Sequence, residues 1–456
     1  MQRHGHAVNL TQGTLCKQMV LFAIPLLLSN IFQLLYNTAD TVIVGNAIGT
    51  NALAAVGAGG QLVTMVVGFS LGFSTGSSVV IARHFGAGQK GKIEKTVHTA
   101  ICSAFVGGIL LTLFCELVSP LILRLINTPE SVFDLAVQYL RLYFLGLTSL
   151  LLYNVGAGIL RGVGNSFYPL VFLVITSLVN IGLDLLFVVV FHWGVAGAAV
   201  ATVLSQTLSC IMVLSTLLRT KEMYRFSFKK MGIDLPTLKD IVNIGVPTGL
   251  QSVVAGASRV VIQSKVNLFG ELAMAGTVSY TKVDGFQMMP IEAVSTTTTT
   301  LISQNLGAGN EDRARQGAKY GVVFCFFFAL FSGVVIYAFI PQILSIFTQD
   351  PTAISYGSRM CSVMATTYFL IATASCLGAV IRGTGDARNP MLISTAYLCV
   401  FRMIWCSFIL LLWNDIMAIY ISYPISWVLN VGTMWLYYKL RCPLGKKKPA
   451  AVPAGK

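Results

Sequence analysis

Apolar stretches long enough to cross a bilayer recur along this chain, and the second set repeats the first at a fixed offset. A span of about 20 residues crosses roughly 30 Å of hydrocarbon. Twelve such runs are readable, at about 19–44, 52–80, 96–119, 134–160, 168–191, 195–218, 240–267, 273–302, 317–340, 356–381, 390–413 and 417–438. Gly86-Ala87-Gly88 returns as Gly307-Ala308-Gly309, Arg161-Gly162 as Arg382-Gly383, Pro120 as Pro341 and Ser205 as Ser426, each pair 221 positions apart. Pro25 and Pro247 differ by one position more. Backbone groups in lipid must bond within their own segment, so the runs are expected to be helices, and strict short alternation suited to a barrel is absent. The expected fold is an all-α polytopic membrane protein of twelve helices in two six-helix repeats. Six is even, so both repeats start from the same side and are parallel, related by a pseudo-two-fold axis along the membrane normal.

Hydrophobic residues make up 55% of the chain and charged residues 11%, which excludes an ordinary soluble domain. The net charge of +14 invites a nucleic-acid partner, but its distribution argues against one. With the N-terminus placed inside, most of the 31 Lys and Arg fall in inner loops and ends, among them Arg83, Lys90, Lys92 and Lys95, then Arg219 to Lys230, then Arg313, Arg315 and Lys319. The tail adds Lys439, Arg441 and Lys446 to Lys448. That bias puts both termini in the cytoplasm and the protein in the plasma (inner) membrane, in contact with anionic lipid. The ten cysteines stand singly with no C-x-x-C pair, as small apolar residues would. The polar first 18 residues and the long first apolar run do not read as a cleavable signal.

The organisation follows: a cytoplasmic segment 1–18, an N-terminal lobe 19–218, a basic linker 219–239, a C-terminal lobe 240–438 and a basic tail 439–456. The glycine turns at 86–91, 161–165, 307–309 and 383–385 lie at cytoplasmic ends of spans and read as tight turns needing positive φ. No phosphate-loop pattern accompanies them, which argues against an ATP-driven pump. Pro25 lies within span 1 and Pro247 within span 7, where each frees a carbonyl and permits either a static bend or a hinge.

An ionisable group at mid-bilayer costs about 2.5–3.5 kcal/mol on insertion scales and needs a reason to be there. Asp40 lies in span 1 and Asp184 in span 5, with Asn180 one helical turn before Asp184, and Thr202 lies in span 6. Helical rise places Asp184 and Thr202 both roughly 10 Å below the outer edge, with Asp40 a turn shallower. The four can converge into an oxygen-rich pocket suited to a hard cation such as Na⁺, or to a proton shared between the acids. Structural roles remain open beside this, a solvated helix end for Asp40 and a hydrogen-bonded pair for Asn180 and Asp184.

The second half departs from this pattern. The counterparts of Asp40, Asn180, Asp184 and Thr202 are Ile262, Phe401, Trp405 and Tyr423. Its own polar set is Arg259, Lys282, Asp284, Glu292 and Arg402, with Lys265 snorkelling. Arg259, Lys282 and Asp284 are expected to form an ion-pair cluster, and Glu292, near Pro290, is a candidate acid of a substrate cavity. The hydroxyls of Thr296 to Thr300 are expected to bond back to their own helix.

The stretches YNTADTVIVGNAIGTNALAAVG, RHFGAGQKGK, GILRGVGNSFYP, NIGLD, GVAGAAVAT and ISQNLGAG together make the chain resemble the multidrug and toxic compound extrusion (MATE) family over about 10–440, with its DinF-like branch nearest. The resemblance implies two six-helix lobes around a cavity, alternating access, and antiport of amphiphilic or cationic compounds against Na⁺ or H⁺. It implies a cation site at Asp40, Asn180, Asp184 and Thr202, with Tyr139 beside it and Pro25 at the bend of span 1. The acid pair of the second lobe in the NorM-like branch has no evident match. No cofactor is implied, and one chain in the bilayer is the expected unit. A lipid-linked oligosaccharide or anionic-lipid flippase is the rival reading, supported by Arg259, Lys282 and Arg402. An intramembrane enzyme is disfavoured because no H-E-x-x-H occurs.

Overall fold

The structure is a computed structural model that describes residues 8–126 and 128–446. The expected cytoplasmic segment before Val8 and the tail from Lys447 on, Lys448 included, lie outside the described residues. Among the described residues there is no strand.

The chain divides into two compact units, Met1–Gly256 and Ala257–Lys456. In the first unit α1 spans Leu15–Ile48, α2 Thr50–Gly86 and α3 Lys90–Leu125. There follow α4 Glu130–Phe144, α5 Leu147–Gly162, α6 Phe167–Asp184, which runs on into a π-helical turn Leu185–Val190, and α7 Gly194–Arg219. Helix α8, Leu235–Val266, crosses the boundary between the units. The second unit continues with α9 Glu271–Gly307, α10 Glu311–Ala338, α11 Ile340–Ser345, α12 Pro351–Ala365 and α13 Tyr368–Gly383. It closes with α14 Arg388–Ser394, a π-helical stretch Thr395–Phe401, α15 Arg402–Leu412 and α16 Met417–Leu440.

Among the described residues seven helical segments are long and apolar enough to cross a membrane alone, and the two bent pairs raise this to nine. α8, α9 and α16 complete two sets of six. α8 carries Arg259 and Lys265, α9 carries Lys282, Asp284, Glu292 and the threonine run, and α16 is rich in Tyr and Trp, so all three are less uniformly apolar. Side chains such as Leu117, Leu411 and Leu412 are exposed, as residues facing lipid would be.

Spans 4 and 10, read as continuous in the sequence, are each broken. α4 and α5 meet at 47°, and α12 and α13 at 54°. Gly146 and Thr367 at these breaks are themselves 221 positions apart, so the bend is part of the repeat. A side chain at Gly146 would meet Gln206 Oε1 at 2.6 Å. In the second unit Thr366 and Thr367 donate their hydroxyls to the carbonyls of Ser362 and Val363, a bond that favours bending. The glycine turns behave as expected: Gly88, Gly164, Gly309 and Gly385 all have positive φ.

Small and hydroxylated residues make the main seams, since lipid provides no hydrophobic drive for helices to pair. In the first unit Gly158 and Gly162 of α5 lie against the backbone of α2, where added Cβ atoms would meet Ser74 O and Ser78 O at 2.7 and 2.8 Å. Asn154 donates to Ser70 Oγ at 3.0 Å, and Arg161 to Ser74 Oγ at 3.0 Å. The second unit repeats the seam between α9 and α13: Thr299 donates to Ala379 O and Ser303 to Gly383 O, both at 3.0 Å. Thr297, Thr298, Thr299 and Thr300 also bond back to carbonyls four residues earlier, as expected. The first unit extends to Gly256 because the start of α8 packs on α2 backbone to backbone. An added Cβ at Gly72 would lie 2.1 Å from Gly249 N, and one at Gly76 2.7 Å from Gly245 N.

The basic linker is strapped to the start of α3. Lys230 pairs with Glu94 at 2.6 Å, Lys95 with Asp234 at 3.6 Å, and His98 Nε2 accepts from Ser227 N at 3.1 Å. Phe226 is buried beside the His98 ring.

Candidate functional site

Four helices of the first unit each present two polar side chains one turn apart. Tyr36 and Asp40 come from α1, Tyr139 and Tyr143 from α4, Asn180 and Asp184 from α6, and Thr202 and Gln206 from α7. The i,i+4 spacing stacks each pair on one helix face. Asp184, Asn180 and Thr202 are buried, with exposures of 0%, 1% and 3%, while Asp40 is partly buried. Asp184 closes the regular part of α6, and the π-helical turn starts at the next residue. A π-helical turn is uncommon and is found often at functional sites.

The carboxyl groups of Asp40 and Asp184 stand in each other's field. As carboxylates neither can donate to the other. Asp40 Oδ1, both carboxylate oxygens of Asp184 and both amide atoms of Asn180 are buried with no hydrogen-bond partner. Thr202 Oγ1 donates to Ala198 O at 3.0 Å, which leaves it able to accept, and the Tyr36 hydroxyl stands beside it. Tyr139 is buried beside Tyr143, their ring centroids 6.0 Å apart, and stands in the field of both acids. Gln206 donates to Tyr143 Oη at 3.2 Å. Among the described residues no Lys or Arg forms an ion pair with Asp40 or Asp184; the pairs lie elsewhere.

Buried polar groups are nearly always bonded, so a cluster of orphaned oxygens is a demand for a partner. Two carboxylates, an amide oxygen and a hydroxyl supply hard oxygen ligands, which suit Na⁺. One shared proton would meet the same demand. Among the described residues no group of three or more His, Cys, Asp or Glu is present, so the donor set is a poor match for a transition metal. The expected set of Asp40, Asn180, Asp184, Thr202 and Tyr139 is thus brought together. Tyr36, Tyr143 and Gln206 join it unforeseen, because a tyrosine or glutamine in an apolar run carries no signal by itself.

Pro25 lies within the continuous helix α1. The carbonyl of Phe22, three residues before it, accepts from Ser166 Oγ at 3.0 Å, and Ser29 Oγ donates to the Pro25 carbonyl at 2.8 Å.

In the second unit the equivalent positions are filled by apolar and aromatic groups. The Phe401 and Trp405 rings are tilted at 36° with centroids 5.8 Å apart, and Trp405 Nε1 donates to Ala418 O at 2.9 Å. Asp284 accepts from Tyr280 at 3.2 Å, and Tyr368 donates to Tyr280 at 3.1 Å. Arg259 stands in the field of Asp284 and Glu292. Glu292 is exposed. Lys282 is exposed and, among the described residues, forms no ion pair with Asp284, which stands in the fields of Arg259 and Arg402.

The MatE family model matches the chain twice, over residues 25–186 and 247–408. The chain belongs to the MatE family. The two matches coincide with the two repeats, so both halves of this MATE protein carry the family pattern. A Bacillus subtilis protein named "Probable multidrug resistance protein YpnP" is 29% identical over 95% of this chain and 97% of its own length. "Probable multidrug resistance protein NorM" of Thermotoga maritima is 27% identical over 83% of this chain and 82% of its own length. A solved multidrug resistance MATE transporter in an outward-facing conformation matches with a TM-score of 0.91 at 23% identity, covering 98% of this chain and 100% of that one. At that identity the likeness is one of fold. The protein is a multi-pass membrane transporter of the MATE multidrug efflux family.

Proposed function

We propose that this chain is a secondary active antiporter of the plasma membrane, acting as a single chain with both termini cytoplasmic. It exports amphiphilic or cationic compounds in exchange for inward Na⁺ or H⁺ by alternating access. The observation that carries the proposal is the set of five orphaned polar atoms on Asp40, Asn180 and Asp184. Left without a cation, the two carboxylates repel each other at low dielectric and favour capture of one. The captured ion lowers the pair's charge from two to one and relieves the repulsion, Asn180 and Thr202 complete its oxygen shell, and Tyr139 walls the site. Span 1, which carries Asp40 and Pro25, shifts at the proline and disfavours bound drug. Reciprocity requires the drug to weaken cation binding by the same factor. The second unit's acids, Asp284 and Glu292, face the cargo, and Arg259 offsets their charge. The names of the curated relatives, multidrug resistance proteins, support a small-molecule cargo over a lipid-linked one.

Ethidium efflux from proteoliposomes under separate Na⁺ and pH gradients tests this reading. The wild type should export under one gradient, and Asp40→Asn and Asp184→Asn should each abolish the dependence on it. Export that keeps its gradient dependence in both variants would refute it.

A further inference from the structure

Arg402 opens α15 directly after the π-helical stretch Thr395–Phe401, ten residues, or roughly 15 Å of helix, before the end at Leu412. Its exposure is 9%, and its guanidinium is permanently charged. Nε donates to Ser426 Oγ at 2.7 Å. The guanidinium lies over the Tyr423 ring at 4.1 Å and 5.9 Å from the Trp427 ring. One terminal nitrogen, Nη2, is buried with no acceptor. Asp284 is within its field but is engaged by the Tyr280 hydroxyl, and among the described residues no acid forms an ion pair with Arg402.

The same region of the duplicated frame therefore has opposite character in the two units. In the first, buried carboxylate oxygens stand without a donor; in the second, one buried guanidinium nitrogen stands without an acceptor. The repeat counterpart of Arg402 is Ile181, so the second unit's charge is its own addition. Cation–π contact compensates the charge in part but leaves the in-plane donor unused. A guanidinium with a free edge is shaped for a planar oxyanion. The Tyr423 and Trp427 rings beside it suit an aromatic body attached to that anion.

We propose that Arg402 is an anion-binding residue of the second unit, taking a carboxylate, sulfonate or phosphate group carried on an aromatic compound. Calling that compound a cargo rests on the export reading above; the binding itself does not. Cargo of this protein then includes zwitterionic and anionic aromatic molecules beside cationic ones.

The test is equilibrium binding of fluorescein, an aromatic anion, and of ethidium, an aromatic cation, to the full chain in phosphatidylcholine nanodiscs. Arg402→Gln should weaken fluorescein binding about 10- to 100-fold, the range for a lost charged hydrogen bond, and leave ethidium binding within about threefold. Asp284→Asn, which removes the competing negative charge, should tighten fluorescein binding, and this arm stands should Arg402→Gln fail to fold. Unchanged fluorescein binding in Arg402→Gln, an equal loss of both probes, or weaker fluorescein binding in Asp284→Asn would overturn the proposal. Displacement of fluorescein by added phosphatidylglycerol would name a lipid headgroup as the source of the anion; no displacement would name a soluble compound. No gradient is present, so lost antiport with intact fluorescein binding counts against the export reading alone.

Discussion

At the residue scale Asp184 is the most exacting position, because its carboxylate is fully buried and both oxygens lack a donor. Asp184→Asn keeps the volume and removes the charge, so the fold should survive while cation affinity falls about tenfold or more, measured by direct Na⁺ or proton binding. Asn180→Ala should cost less, since it removes one neutral ligand and leaves both charges. These residues were legible in the sequence because an acid inside an apolar run demands explanation, and Asn180 one turn away supplies a partner on the same face. Tyr36, Tyr143 and Gln206 were not legible, because amphipathic side chains in a membrane helix have many uses and only the tertiary packing aims these at the acids.

At the element scale the seams and straps set what can change. Gly162→Ala would bring a Cβ to 2.8 Å from the Ser78 carbonyl on α2, a backbone atom that cannot swing aside. It should lower stability by about 1–3 kcal/mol, read as a fall in thermal unfolding temperature in detergent. The linker offers a pH-dependent case. Hydrogen bonds from Thr237, side chain first and then backbone, hold the Asp234 carboxyl below its usual range, with Lys95 adding to the effect. A depressed folded-state value means the contribution is present above the ordinary range near pH 4 and is lost as the pH falls through the folded value. Asp234→Ala should therefore loosen the start of α8 at pH 7, seen as faster amide exchange at residues 235–240, and differ little from wild type in acid below the folded value. The twelve runs and the turn glycines were readable from periodicity and turn chemistry. The bends at Gly146 and at Thr366–Thr367 were not, because the apolar run continues through both breaks.

At the scale of the whole molecule, duplication supplies the frame and divergence supplies the chemistry. Both halves keep the seams, bends and glycine turns, yet only the first keeps the acid pocket, and Ile262, Phe401, Trp405 and Tyr423 replace it in the second. The frame was legible because conserved turn geometry leaves glycines and prolines in register, whereas the aromatic filling of the second unit required the structure. Topology has a native reporter, since Cys16 is exposed and the other cysteines are buried. A membrane-impermeant maleimide should leave Cys16 unlabelled in intact cells and label it after permeabilisation. The account's central claim is that one acid pocket, in the first unit, links the cation to the drug. Its most direct measurement is the affinity of purified protein for ethidium across Na⁺ concentration and pH, in the wild type and in the double variant Asp40→Asn, Asp184→Asn. The account predicts that wild-type affinity falls as one of the two ions rises and that the double variant is indifferent to both. Wild-type affinity independent of both ions, or a dependence that persists in the double variant, would contradict it.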